Sequence, residues 1–135
     1  MRCSMAKKVW IDTSAFYALF VAEDRFHEDA RKCFERLVRE EYSFHTTWFV
    51  VIETISLLWY RKHPLHLIKE FMGWLEKHIE VEIPISEEWW KALKEWSEKK
   101  KINLSPVDYS LLYWGKEDFI FTFDRRFRNF ASVIP

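Results

Sequence analysis

The chain has 135 residues, 49% of them hydrophobic, which suffices for one compact domain with a substantial core and leaves little for a second. Lys and Arg together number 21, as do Asp and Glu, so the formal charge is zero and any nucleic-acid affinity must come from a local basic patch. Only 2 glycines occur, Gly73 and Gly115, which excludes both a GxxxxGKS/T phosphate loop and a GxGxxG dinucleotide turn.

Residues 1–7 are a short polar start expected to fray. Cys3 and Cys33 have no metal-ligand spacing and follow no secretory segment, so the expectation is reduced thiols in a cytoplasmic protein. No apolar run approaches the roughly 20 residues that cross a bilayer.

Val9–Ile11 reads as a short buried strand ending on Asp12, with Thr13 or Ser14 placed to cap a helix through AFYALFV. Asp24 is a candidate cap for a second helix whose stripe is Phe26, Ala30, Cys33, Phe34, Leu37 and Val38. YSFHT alternates as a strand, and Thr46 or Thr47 can cap the next helix, where Trp48, Val51, Ile52, Ile55, Leu58 and Trp59 recur at helical spacing. Pro64 limits that helix, and LHLIKEFMGWLEKH predicts another.

Ile79, Val81 and Ile83 alternate with Glu80 and Glu82 as in an edge strand. Ser86 is the expected cap of SEEWWKALKEWSEKKK, whose Trp89, Leu93 and Trp96 share one face while Trp90 points away. In LSPVDYSLLYWG, Ser105 caps, Pro106 occupies the first turn and Gly115 closes the helix. Phe119–Phe123 is the most strand-like run and ends on Asp124, and Ser132–Ile134 can add an edge strand. This alternation predicts a mostly parallel sheet with helices on both faces.

Ligands of such sheets bind beyond the carboxyl ends of the strands. Asp12 and Asp124 follow strands, Glu53 lies in the second turn of a helix that follows one, and Asp108 lies in the first turn of another, so the four can share one rim. Clustered carboxylates repel, and a hard divalent cation, Mg²⁺ or Mn²⁺, is the compensation that an all-oxygen set without His or Cys favours. Each acid also has a structural use: Asp108 can complete a capping box with Ser105, and Asp12 and Asp124 can close turns. Glu53 flanks the apolar stripe of a buried-looking helix, where a charge is costly unless used.

The segments VWIDTSAFYALF, WFVVIETISLL, LSPVDYSLLYW and FIFTFDRRF, with the TxDxxF of Thr122 to Phe127, resemble the successive signatures of the PIN domain as found in VapC-type toxin ribonucleases. The resemblance implies a PIN-like three-layer α/β/α fold over essentially the whole chain. It implies a Mg²⁺- or Mn²⁺-dependent endoribonuclease, a homodimer held in check by a small antitoxin. Position by position, Asp12, Glu53, Asp108 and Asp124 match the family's acidic residues, and Thr13, Ser14 and Thr122 its accompanying hydroxyls, which simple capping or strand filling would also explain. The chain departs from the family at Tyr109, where alanine is usual, and near Asn129 and Phe130, where many relatives have glycine.

Arg125, Arg126 and Arg61 stand beside these segments as candidate contacts to substrate phosphate, with Arg125 the first choice, though each also suits a solvated turn or helix end. Phe16, Tyr17 and Phe20 are the candidate apolar surface for an antitoxin, and the five histidines have no ligand spacing. Two other readings remain: a PIN-like scaffold that binds RNA without cutting it, and a phospho-acceptor receiver-type module. The second would need paired acids after the first strand, where Asp12 is alone, and a lysine after a later strand.

Overall fold

Val9, Trp10 and Ile11 are buried together on β1 (Lys8–Ile11), the middle strand of the sheet. The computed structural model describes residues 7–83, 85–115 and 117–135. The elements that follow are α1 (Thr13–Phe20), α2 (His27–Arg39), β2 (Ser43–Thr47), α3 (Trp48–Tyr60), α4 (Leu65–His78), β3 (Glu80–Glu82), α5 (Ser86–Ser97), α6 (Pro106–Gly115), β4 (Phe119–Phe121), a 3₁₀ turn (Arg125–Asn129) and β5 (Ser132–Ile134). The strand order is β3-β2-β1-β4-β5 and every pairing is parallel. Chain direction across the sheet reverses at β1, and such a switch point opens a crevice at the strand ends.

Side chains alternate across β1 and β2, which sorts the two helical layers. On one face Phe34 of α2 and Phe44 of β2 lie 4.6 Å apart between ring centroids, with Trp74 of α4 against Phe34. On the other, α6 lies over Trp10 and Thr47. There Thr47 and Ser110 share a buried hydroxyl hydrogen bond of 2.8 Å, and a Cβ at Gly115 would come within 2.5 Å of the Trp10 indole. Gly115 does end α6 as expected, but no described glycine has a positive φ. Its missing side chain makes room for Trp10.

Several local expectations shift. Asp24 accepts the N–H of Phe26 in a turn ahead of α2, and the helix itself begins at His27. Ser86 is the first residue of α5, with Ile85 at the cap. The buried face of α3 is Val50, Val51, Thr54 and Leu58, whereas Trp48, Ile52 and Trp59 are exposed, so the expected stripe is rotated. Apolar residues surround this helix, and periodicity alone does not choose among its faces.

Phe16 and Tyr17 are buried, and Phe20 packs edge-on against Phe71 and Trp74, which removes the proposed antitoxin surface on α1. Trp90 is exposed as expected, while Trp96 donates its indole N–H to the Leu104 carbonyl. Of the start expected to fray, only Lys7 is described, and its carbonyl accepts the Ser43 N–H at 2.9 Å. Cys33 is a free, buried thiol, and Cys3 lies outside the described residues.

Candidate active site

The parallel register sets Ile11 beside Phe121, so the next residues, Asp12 and Thr122, leave their strands side by side. Thr122 donates to Asp12 Oδ2 at 2.8 Å and accepts the Asp124 N–H at 2.9 Å, joining the two strand-end acids through one hydroxyl. Ser14 also donates to Asp12 Oδ2, at 3.0 Å, and accepts the Phe123 N–H at 2.9 Å. These hydroxyls therefore hold the carboxylate and the two chain segments around it; neither caps α1, which has no side-chain cap.

Glu53 is half-buried and accepts a 2.6 Å hydrogen bond from Thr13, and its pKa is raised mainly by burial. Asp108 has the structural use expected of it and also lines the cleft. It forms a reciprocal capping box with Ser105, N–H to Oγ at 3.1 Å and N–H to Oδ2 at 3.2 Å, while its buried carboxylate contributes to the cleft.

Asp12, Thr13, Ser14, Glu53, Asp108, Asp124, Arg61 and Arg126 all line one cleft of about 500 Å³. Thr122 lies buried against it. Arg125 instead lines a separate small cavity beside Phe26 and Pro135, and Arg126 is the arginine turned to the acids. Arg61 lies 4.9 Å over the Tyr17 ring, so its charge is held at the cleft wall by a cation–π contact. A larger cavity of about 780 Å³, lined by Tyr109, Tyr113, Trp114 and Lys99 to Lys101, contains none of the four acids. Tyr109, one of the departures from the family pattern, donates its hydroxyl to Glu95 there.

Part of the cleft wall leaves no signal in the sequence. Phe26 and Phe123 stack at 4.6 Å with an 11° interplanar angle, and His63 holds the Tyr17 hydroxyl at 2.7 Å. Both pairs join residues far apart in the chain and leave no local pattern.

Electrostatically the centre is Asp12. Burial, reinforced by the Asp108 charge, raises its pKa from 3.8 to about 6 against the opposing hydrogen bonds of Thr122, Ser14 and the Thr13 backbone. Its Oδ1 atom is buried without a well-aligned hydrogen-bond partner. Asp124, paired with Arg126, has its pKa lowered.

Among the described residues no three His, Cys, Asp or Glu side chains close around one point as a preformed ion cage. The donor set still fits a hard divalent cation. Mg²⁺ retains several waters and needs only one or two carboxylates, and the buried Asp12 Oδ1 has a lone pair with no well-aligned donor. Asp12, Asp108 and Asp124 could supply the oxygens, with Glu53 across the cleft.

This is the architecture of the PIN domain, whose family model matches residues 9–133, and the chain belongs to that family. Among solved structures, VapC20 of Mycobacterium tuberculosis, described as a sarcin-ricin loop cleaving toxin, superposes with a TM-score of 0.79 at 21% identity, over 94% of this chain and 99% of that one. VapBC2 of Rickettsia felis, bound to a DNA fragment from its promoter, gives 0.66 at 9% identity, over 94% and 97%. A Pyrobaculum aerophilum protein gives 0.53 at 19%, over 96% and 90%. No curated protein sequence matches the chain.

Proposed function

We propose that the chain is a Mg²⁺- or Mn²⁺-dependent endoribonuclease, the toxin of a type II toxin–antitoxin pair. The observation that carries the reading is Asp12: a buried carboxylate at the sheet's switch point, with a raised pKa and one oxygen lacking a partner, facing Asp108 in a cleft open to solvent. A structural turn residue has no need of that burial. PIN family membership and the fold of VapC20 support the same conclusion.

A divalent cation, when bound, would supply water activation at neutral pH and charge stabilisation for the leaving oxygen. Asp12, Asp108 and Asp124 would hold it, and Thr122 and Ser14 fix the orientation of the Asp12 carboxylate. Glu53, held by Thr13 and with its pKa raised, is placed to orient the attacking water and accept its proton. Phosphodiester hydrolysis then forms a bond from the water oxygen to phosphorus and breaks one to a ribose oxygen. Phe26 and Phe123 offer a stacked aromatic wall for an unpaired base.

We further propose cytoplasmic action, a homodimer and an antitoxin partner. The R. felis VapBC2 assembly, bound to a DNA fragment from its promoter, supports the last. No helix among the described residues is long and apolar enough to cross a membrane.

The test is incubation of purified protein with single-stranded RNA in Mg²⁺ or Mn²⁺, with and without chelator. Cleavage that stops in chelator is the expected result. Cleavage by metal-free protein overturns the mechanism, and RNA binding without cleavage in metal returns the scaffold reading.

A further inference from the structure

Among the described residues, Arg126 is the one basic side chain whose hydrogen bonds fall on the cleft carboxylates. Its Nε lies 3.0 and 3.1 Å from the two Asp124 oxygens, its Nη2 also binds Asp124 Oδ2, and the same Nη2 is 3.4 Å from Asp108 Oδ2. The Arg126 backbone N–H adds a bond of 3.0 Å to Asp124 Oδ1, so both oxygens of that carboxylate are engaged. The Asp12 charge adds to the attraction felt by the guanidinium.

We propose that Arg126 is an internal counter-ion that competes with a divalent cation for Asp124 and Asp108, so that cation loading releases the guanidinium toward substrate phosphate. This rests on the metal-dependent reading of the cleft.

The competition follows from the shared atoms. An N–H donor and a cation need the same carboxylate lone pairs, and a guanidinium offers one charge where three acids face it. Its neutralisation is incomplete: the Asp12 Oδ1 atom stays buried without a well-aligned hydrogen-bond partner. A doubly charged ion that also reaches Asp12 answers both deficits. Release costs the core nothing, because the Arg126 side chain is 44% exposed and the buried Phe127 anchors the turn that carries it. Freed, a planar guanidinium is suited to bidentate contact with a phosphate.

Mn²⁺ binding by the full chain, followed by calorimetry and by electron paramagnetic resonance, tests the idea without reference to RNA. Arg126→Gln is expected to bind Mn²⁺ about tenfold more tightly, the scale of one charge-assisted pair, and to gain more in melting temperature from Mn²⁺. Arg126→Lys, a point charge without the fork, should fall between it and the parent. Arg128→Gln controls for net charge and should match the parent. Equal or weaker Mn²⁺ binding by Arg126→Gln overturns the inference, as does an equal gain in Arg128→Gln. Tighter Mn²⁺ binding with no RNA cleavage by any variant sustains the competition and sinks the ribonuclease reading alone. Absence of Mn²⁺ binding in both parent and Arg126→Gln overturns both.

Discussion

Asp12 destabilises the fold that positions it. A rise from 3.8 to about 6 corresponds to roughly 3 kcal/mol of lost stability once the folded carboxylate is charged. Below the unfolded pKa both states hold the proton and the penalty vanishes. As pH rises from about 4 to about 6 the unfolded chain gives up its proton first, so stability falls through that window and stays lower above it. Asp12→Asn removes the charge while an amide oxygen can still accept from Thr122 and Ser14. In chelator at pH 7.5 it should melt higher, with a gain of roughly 1–3 kcal/mol that closes by about pH 4. A lower melting temperature at pH 7.5 would make Asp12 a turn residue. RNA cleavage should be lost in the same variant.

Two helices end in the same unusual way, a consequence of scarce glycine. At the end of α3 the His63 N–H bonds the Leu58 carbonyl at 3.0 Å and the Lys62 N–H bonds Trp59 at 2.9 Å, a Schellman cap with Lys62 at φ 64°. At the end of α2, Tyr42 to Leu37 and Glu41 to Val38 repeat the pattern, with Glu41 at φ 60°. A side chain with Cβ is disfavoured in this left-handed region. Lys62→Gly should therefore stabilise the protein by roughly 0.5–1 kcal/mol, raising the melting temperature by about 2–5 °C in a thermal scan. An unchanged or lower value would show that glycine's freedom in the unfolded chain outweighs the relief. The cap also aims His63 at the Tyr17 hydroxyl, so a helix terminus far from the acids helps to build the cleft wall.

Across the whole molecule, the rotated α3 leaves Trp48, Ile52 and Trp59 exposed, the last at 72%, and Trp90 of α5 is exposed as well. Phe49 and Trp89 stack at 6.2 Å and join the two helices. Apolar exposure of this extent on two adjoining helices supports the proposed homodimer. Light scattering should give twice the chain mass for the parent, and Ile52→Glu should give the monomer with its melting transition intact. A monomeric parent would reassign the surface.

The order of strands and helices and the four acids follow from local chemistry: short apolar runs ending on Asp12 and near Asp124, a capping box at Asp108, a charge on the α3 helix at Glu53. Each signal spans only a few residues, and so survives in a linear string. The family resemblance carried by those segments agrees with the match over residues 9–133. What the string could not contain is the strand order, which sets β4 beside β1 and thereby Thr122 beside Asp12. Nor could it say which arginine meets the acids. Successive residues of a 3₁₀ turn diverge by about 120°, so Arg125 and Arg126 cannot both face the cleft, and only the docking of the turn through buried Phe127 selects Arg126. The buried face of α3, the stack of Phe26 on Phe123 and the raised pKa of Asp12 likewise depend on what packs around them, because burial and through-space charge belong to the assembled chain.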